Sequence, residues 1–466
     1  MKDDKMLMEE AGISYTDGEE KAVKRKIDLK VLPLAFLLYI CSALDRSNIA
    51  NARAYAFDTT AGVGAFERST HMAGSDFNLV LSLFFVPYCV LEPFCNLALI
   101  RFKPSVWLSR IAISWGIVST CFAAASSFSG VMTLRIFLGA CEAGLFPGLT
   151  FWCTFWYKRD EIGGRIAWFF GASSMATAFS GLLAGAISYM NGISGLQQWQ
   201  WLFIIEGVPP VLVGIICAFF LPDYPETCKF LNEREKEIAI NRLRNDTDAV
   251  DGGSKHFKMD EVWGVLKEPE VWAQCLVFVC ANVPGWSISY FQPTILTYLG
   301  YTGTLAQWMT VPTSIWSAIV LIILSNISDR IGDRSVIIIA GLSVASIAFV
   351  VLATVWQPPA DYAMLFFTSA TMASVPLLHG WVANNHPQSS ARGFAMGLIN
   401  GLGGVAGIIG GQIYQPNDAP HYVRGNFFNA SILIFGALLT LAVRMSFVFR
   451  NRRMDAAKSG LRRYTL

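Results

Sequence analysis

SALDRSNIANA, residues 42–52, is the stretch whose reading decides the fold. An apolar run from Val31 to Leu44 leads into it, and Asp45 and Arg46 then stand side by side, late in what otherwise reads as a membrane-spanning helix. A charge at the centre of such a helix costs about 2.5–3.5 kcal/mol on insertion scales. Ionisable residues at that depth face the protein interior or water, and they mark functional sites by default. The plainer alternative is that the pair ends the helix, with both charges at the membrane surface.

The rest of the chain supports the membrane reading. Of 466 residues, 53% are hydrophobic and 15% charged, and the mean hydropathy is +0.44. The apolar residues fall into runs of about 20, enough to cross a hydrocarbon core of about 30 Å as a helix. Twelve such spans are predicted, at 31–52, 76–99, 105–127, 131–156, 165–189, 201–221, 271–298, 306–327, 336–356, 361–384, 392–414 and 426–449. The expected fold is an all-α membrane protein of twelve transmembrane helices in two six-helix bundles. Residues 1–30 form an N-terminal tail, 31–221 the first bundle, 222–270 a central loop, 271–449 the second bundle and 450–466 a C-terminal tail. Lysine and arginine concentrate in both tails and in the loops after spans 2, 4, 6, 8 and 10; the opposite loops hold Arg53, Arg68 and Arg424. The positive-inside rule then puts both termini and the central loop in the cytoplasm.

Span 4 reads RIFLGACEAGLFPG, with Arg135 and Glu142 two helical turns apart and so on one face. Asp45 and Arg46, being adjacent, point about 100° apart and can serve different partners. Two acids and two bases balance one another. They form either a static ion-pair lock between helices or a proton relay beside an anion site. An arginine fork suits a carboxylate bidentately, and a buried acid that loses its arginine to a substrate can take a proton. Tyr88 and Glu92 share a face of span 2; Trp381, Asn384 and Asn385 lie late in span 10, and Asn400 in span 11. Lining a site and packing in a core both remain open for Tyr88 and Asn400. Glu206 and His379 read as structural. Asp329, Arg330 and Arg334, in SDRIGDR, suit a charged conformational latch at a helix end. Glycines four apart, Gly393/Gly397/Gly401 and Gly403/Gly407/Gly411, suit close helix packing. Pro284-Gly285 interrupts span 7, a break of the kind that lines cavities. Neither a phosphate-binding loop, nor metal-ligand spacing, nor a nucleophile elbow is found, so no enzyme, no metal and no bound cofactor is expected.

Several segments, read together, resemble the major facilitator superfamily, in particular its anion:cation symporter branch and the fungal allantoate-permease-like group. They are LDRSNIANAR (44–53), FFVPYCVLEPFCN (84–96), RIFLGACEAGLFPG (135–148), WQWLFIIEG (199–207), LPDYPE (221–226), SDRIGDR (328–334) and QIYQPNDAPHYVRG (412–425). The chain departs from the group at Ala43, where a tyrosine often stands, at Pro93, and in PQSSAR (387–392). The resemblance implies proton-coupled uptake of a small organic carboxylate, of the nicotinate, pantothenate, biotin or allantoate class, by a plasma-membrane monomer. It implies coupling by Asp45, Glu142 and Arg135. It assigns substrate contacts to Arg46, Tyr88 and Asn400, to which the late span 10 residues Trp381 and Asn384 are added as candidates. The partners expected are the organic anion, the coupling proton and the lipid bilayer, with no nucleic acid. A non-transporting nutrient sensor and a proton-independent facilitator of a neutral solute are the alternatives.

Overall fold

In lipid a backbone must satisfy its own hydrogen bonds, and an apolar run does so by coiling into a helix. The structure, a computed structural model, describes residues 15–251, 259–386, 389–456 and 463–465. Within them are eighteen α-helices and no β-strand. The first half holds α1 (Asp17–Ala54), α2 (Ala65–Ser69), α3 (Asp76–Arg101), α4 (Pro104–Cys121), α5 (Phe128–Glu142), α6 (Leu145–Cys153), α7 (Arg159–Ile187) and α8 (Gln198–Phe220). Two polar helices follow, α9 (Glu233–Asp251) and α10 (Met259–Lys267). The second half holds α11 (Pro269–Tyr298), α12 (Thr304–Trp308), α13 (Thr310–Ile331), α14 (Arg334–Thr354), α15 (Pro358–Thr368), α16 (Ser374–Asn385), α17 (Ser389–Ile413) and α18 (Val423–Ala456).

Ten helical stretches are long and apolar enough to cross a membrane. The long helices α3 and α7 occupy the places of spans 2 and 5, which completes twelve spans in two sets of six. Spans 4, 8 and 10 are each built from two consecutive helices.

The chain enters and leaves the bundle at one end, here the tail end; the other is the loop end. At the loop end the halves are sealed. Asn78 Nδ2 donates to Gly411 O (2.7 Å) and Tyr414 O (2.9 Å), and Gln307 Nε2 donates to Asn51 O (3.0 Å). Arg53, paired to Glu67 at 3.2 Å, lies over Phe77 of its own half (4.3 Å) and Phe291 of the other (5.4 Å). The glycine face of α17 reports the geometry further in. A Cβ on Gly411, Gly407 or Gly404 would meet Leu81, Phe85 or Cys89 of α3, and one on Gly403 would meet Phe278 of α11; on Gly401, Gly397 or Gly393 it would meet no atom of the described side chains within 4 Å. The expected close packing is thus found for Gly403, Gly407 and Gly411.

The tail-end segments are more ordered than the sequence predicts. Residues 17–30, expected to belong to a charged tail, begin α1 instead. A capping box starts the helix: Glu19 N donates to Thr16 Oγ1, and Thr16 N to Glu19 Oε2. Ion pairs then hold it, Lys26 to Glu235 (2.7 Å), Lys158 to Glu20 (2.6 Å) and Arg165 to Asp28 (2.8 Å). Arg242 of α9 is fully buried; its Nη2 lies 3.0 Å from Glu161 and 2.8 Å from Trp156 O. The central loop is thus docked on the first half.

Two outcomes test this docking. Removing one member of a buried ion pair costs about 3 kcal/mol or more, so Arg242→Leu should lower the unfolding temperature clearly, whereas Arg25→Ala, a lone exposed cation, should not. Burial works against the charge of Glu235, but Lys26 and the Asn232 N–H outweigh it and hold the carboxyl below its ordinary value of 4.5. A lowered carboxyl contributes stability above that value and loses it as pH falls through the folded one. Limited proteolysis of residues 222–270 should therefore accelerate on acidification below about pH 4.5 and be unchanged from pH 6 to 8.

Candidate functional site

Adjacent residues on a helix diverge, and α1 uses that divergence to separate its two charges. Arg46 faces the space between the halves; Asp45 turns into the first half. The Arg46 guanidinium clasps one oxygen of Glu142, with Nε and Nη2 each 2.9 Å from Oε1. Ser42, one turn earlier, donates its hydroxyl to the same oxygen at 2.5 Å. Glu142 is wholly buried, and its Oε2 has no hydrogen-bond partner.

Local backbone chemistry delivers Glu142 to this spot. It is the last residue of α5, and Gly144 follows in the left-handed region at φ 85°. A Cβ on Gly144 would stand 2.3 Å from that of Cys95. Glycine is required there on both counts, and the break redirects the chain into α6.

The second face of Arg46 is aromatic. Its guanidinium carbon lies 5.4 Å from the ring centre of Tyr88 and 5.9 Å from that of Trp286, which the other half supplies. Nη2 also reaches the Tyr88 hydroxyl at 3.4 Å. In front of these groups is a cavity of about 290 Å³ between the halves. Tyr39, Ser42, Arg46, Asn51 and Thr177 line its first-half wall. α11, α13 and the segment 365–375 supply the other wall, with polar but uncharged side chains among apolar ones.

Asp45 and Arg135 do not line the cavity. Asp45 Oδ1 accepts hydrogen bonds from Ser119 Oγ and Asn48 Nδ2, while Oδ2 has no partner. Arg135 is 5% exposed, its guanidinium between Phe122 (5.5 Å) and Phe84 (5.9 Å) and its Nε unpartnered. The four charges expected to act together thus divide into one tight pair and two more isolated groups. Glu206 is deeper than its sequence position implies: it is 3% exposed and both carboxylate oxygens lack a partner.

Other candidates lie elsewhere. Trp381 is fully buried beside Phe447 and donates its indole N–H to Thr465 O, so it ties the C-terminal segment to α16 rather than lining the cavity. Asn384, half-buried at the end of α16, and Asn400 are also outside the cavity wall. Asn400 Oδ1 lies 2.9 Å from His379 Nε2, and Nδ1 of that ring is 2.8 Å from Val375 O. Of the latch candidates, Arg334 approaches Asp329 at 3.8 Å and Arg330 is exposed; both groups of that pair belong to the second half. Asp333, not singled out from sequence, makes the shorter contact, 2.6 Å to Arg444. Residues 387 and 388 of the departing PQSSAR segment lie outside the described residues.

Sequence reading also passed over Ser42 and Trp286. Pro284-Gly285 was the available signal for Trp286: the expected interruption of span 7 is not found, α11 running unbroken from Pro269 to Tyr298, but Pro284, Gly285 and Trp286 all line the cavity.

The profile of the Major Facilitator Superfamily matches residues 35–411. The chain belongs to the major facilitator superfamily. Its curated relatives are transporters by name. The MFS transporter prlL of a fungal species (strain NRRL 50135) is 36% identical over 95% of this chain and 89% of its own. The major facilitator-type transporter hxnP of Emericella nidulans is 33% identical over 88% and 82%. Among solved structures, a bacterial homologue of the human lysosomal transporter Spinster superposes with a TM-score of 0.69 at 14% identity, covering 93% of this chain and 98% of that one. The D-xylose-proton symporter superposes at 0.66 with 13% identity, covering 88% and 96%. At those identities the likeness is one of fold. This superfamily member is a multi-pass membrane transporter.

Its site geometry yields a discriminating outcome. Trp381→Ala opens a buried void and should cost about 3–5 kcal/mol of stability, read as a lowered unfolding temperature. Ligand affinity of the folded fraction should stay at the wild-type value, because the indole lies outside the cavity.

Proposed function

We propose that this transporter is a plasma-membrane proton symporter for a small organic carboxylate, working by alternating access with both termini cytoplasmic. The observation that carries the reading is the Arg46–Glu142 pair: a guanidinium at the cavity wall clasped to a wholly buried carboxylate. Arginine keeps its proton at any workable pH, so its charge is always compensated. In the empty site Glu142 compensates it. An arriving carboxylate takes the guanidinium fork, and Glu142, left in a dry interior without its partner, takes a proton. One anion and one proton enter together, because either alone leaves the site charged. Asp45 is a second acid that hands the proton on, and Arg135, always charged, couples to the exchange by its field on the two acids. The sealed loop end is, on this orientation, the mark of a cytoplasm-facing state. Asp329, Arg330 and Arg334 act as the latch of the opposite state, when the tail end closes.

Uptake of labelled vitamins and ureides by cells lacking their own carriers tests the substrate class. Glu142→Gln should abolish accumulation driven by acidic external pH while exchange persists; undiminished accumulation would favour the proton-independent facilitator. Arg46→Lys keeps the charge and loses the planar fork. It should weaken carboxylate binding by about tenfold or more, the loss of a charged hydrogen bond worth about 1.5 kcal/mol. Wild-type affinity in well-folded Arg46→Lys and Arg46→Ala would leave the pair a static lock. Antibody tags at residues 1 and 466 should be reached only after permeabilisation; staining of intact cells would reverse the orientation.

A further inference from the structure

Residues 463–465 belong to no helix or strand, and a backbone outside regular structure needs other partners for its N–H and C=O groups. Two asparagines supply them. An amide side chain both accepts and donates, so it can take the N–H and the C=O of one residue together. Asn451 of α18 accepts from Tyr464 N (2.8 Å) and donates to Tyr464 O (2.9 Å). Asn385, the last residue of α16, accepts from Thr465 N (2.8 Å) and donates to Thr465 O (3.1 Å). The same Thr465 oxygen takes the Trp381 indole N–H at 2.8 Å. Side chains are held as well. The Tyr464 ring stacks on Phe447 at 4.9 Å, and Arg463 pairs with Asp455 at 2.9 Å. The segment is a strap that joins α16 to α18, and so span 10 to span 12.

Its sequence suits a second partner. Arg-Arg pairs stand at 452–453 and 462–463, and only the second is followed two residues on by a hydroxyl residue, in LRRYT (461–465). Two arginines just before a threonine fit a protein kinase whose peptide groove is lined by carboxylates, because a guanidinium pairs with such groups bidentately. A kinase takes its substrate as an extended strand, with the arginines and the hydroxyl free. In the strap those handles are in use. The main chain of residues 464 and 465 is bonded to Asn451, Asn385 and Trp381, Arg463 is paired, and Thr465 is half-buried. Docking on the bundle and binding to a kinase compete for one segment.

We infer that Thr465 is a phosphorylation site for an arginine-directed protein kinase, and that the strap hides it until α16 and α18 release it. In the transfer, Thr465 Oγ1 bonds to the γ-phosphorus of ATP. The bond from that phosphorus to the ADP oxygen breaks, and the hydroxyl proton passes to the kinase's general base. The inference rests on the cytoplasmic tail end proposed above.

The test uses the purified full-length protein, ATP and a limiting amount of the catalytic subunit of cyclic-AMP-dependent protein kinase. Initial rates of phosphate incorporation are measured, and the site is located by mass spectrometry. Wild type should be modified slowly, at Thr465. Asn385→Ala and Asn451→Ala each remove two hydrogen bonds of the strap and should raise the rate about tenfold or more. Thr465→Val should abolish it, and Arg463→Gln in the Asn385→Ala background should cancel the gain. No phosphate on Thr465 in either asparagine variant would overturn the site and leave the orientation standing. Equal rates in wild type and both variants would overturn the hiding of the site by the strap. A tail end reached by antibody in intact cells would overturn the inference whatever the purified protein does.

Discussion

A guanidinium inside a membrane protein cannot shed its charge, and the interior of this transporter is arranged around that fact. Arg46 needs an anion, and Glu142 is brought to it as the last residue of α5. Ser42 shares the same carboxylate oxygen, so the acid is held from two directions by α1 alone. Tyr88 and Trp286 cover the guanidinium faces from the two halves. The cation is therefore a point at which both halves of the molecule are in register. A change in its anionic partner is felt across the interface.

The same interface is closed at the loop end. Sealing at the loop end uses backbone carbonyls as acceptors for Asn78 and Gln307, together with a buried arginine among aromatic rings. These contacts are short and numerous, yet each is made of groups that can be re-solvated when the halves rock apart. Small residues line the contact between the halves. Gly181 and Gly185 of α7 lie against Thr310 and Trp308 of the other half, and Gly404, Gly407 and Gly411 of α17 lie against α3. Without a hydrophobic drive between helices in lipid, such close backbone approach is what supplies attraction.

The tail-end ion pairs show a different use of charge. Lys26, Glu235, Lys158, Glu20, Arg165 and Asp28 are partly exposed, so individually each pair contributes little. Their combined effect with buried Arg242 is positional: they carry α9 on the first half and leave the second half unconnected to it by these bonds.

Much of this was legible in the chain itself. The twelve spans, the two halves and the buried charges at 45, 46, 135 and 142 follow from local quantities, namely the length of an apolar run and the cost of a charge within it. The divergence of Asp45 and Arg46 follows from helix geometry alone. What only the tertiary structure decided is which groups meet. Periodicity put Arg135 and Glu142 on one face, yet Glu142 alone reaches Arg46, because the position of α5 against α1 and its termination before Gly144 set the reach of each side chain. Trp381 and Asn400 carry groups suited to a ligand, but the rotation of α16 and α17 gives them to Thr465 and His379 instead.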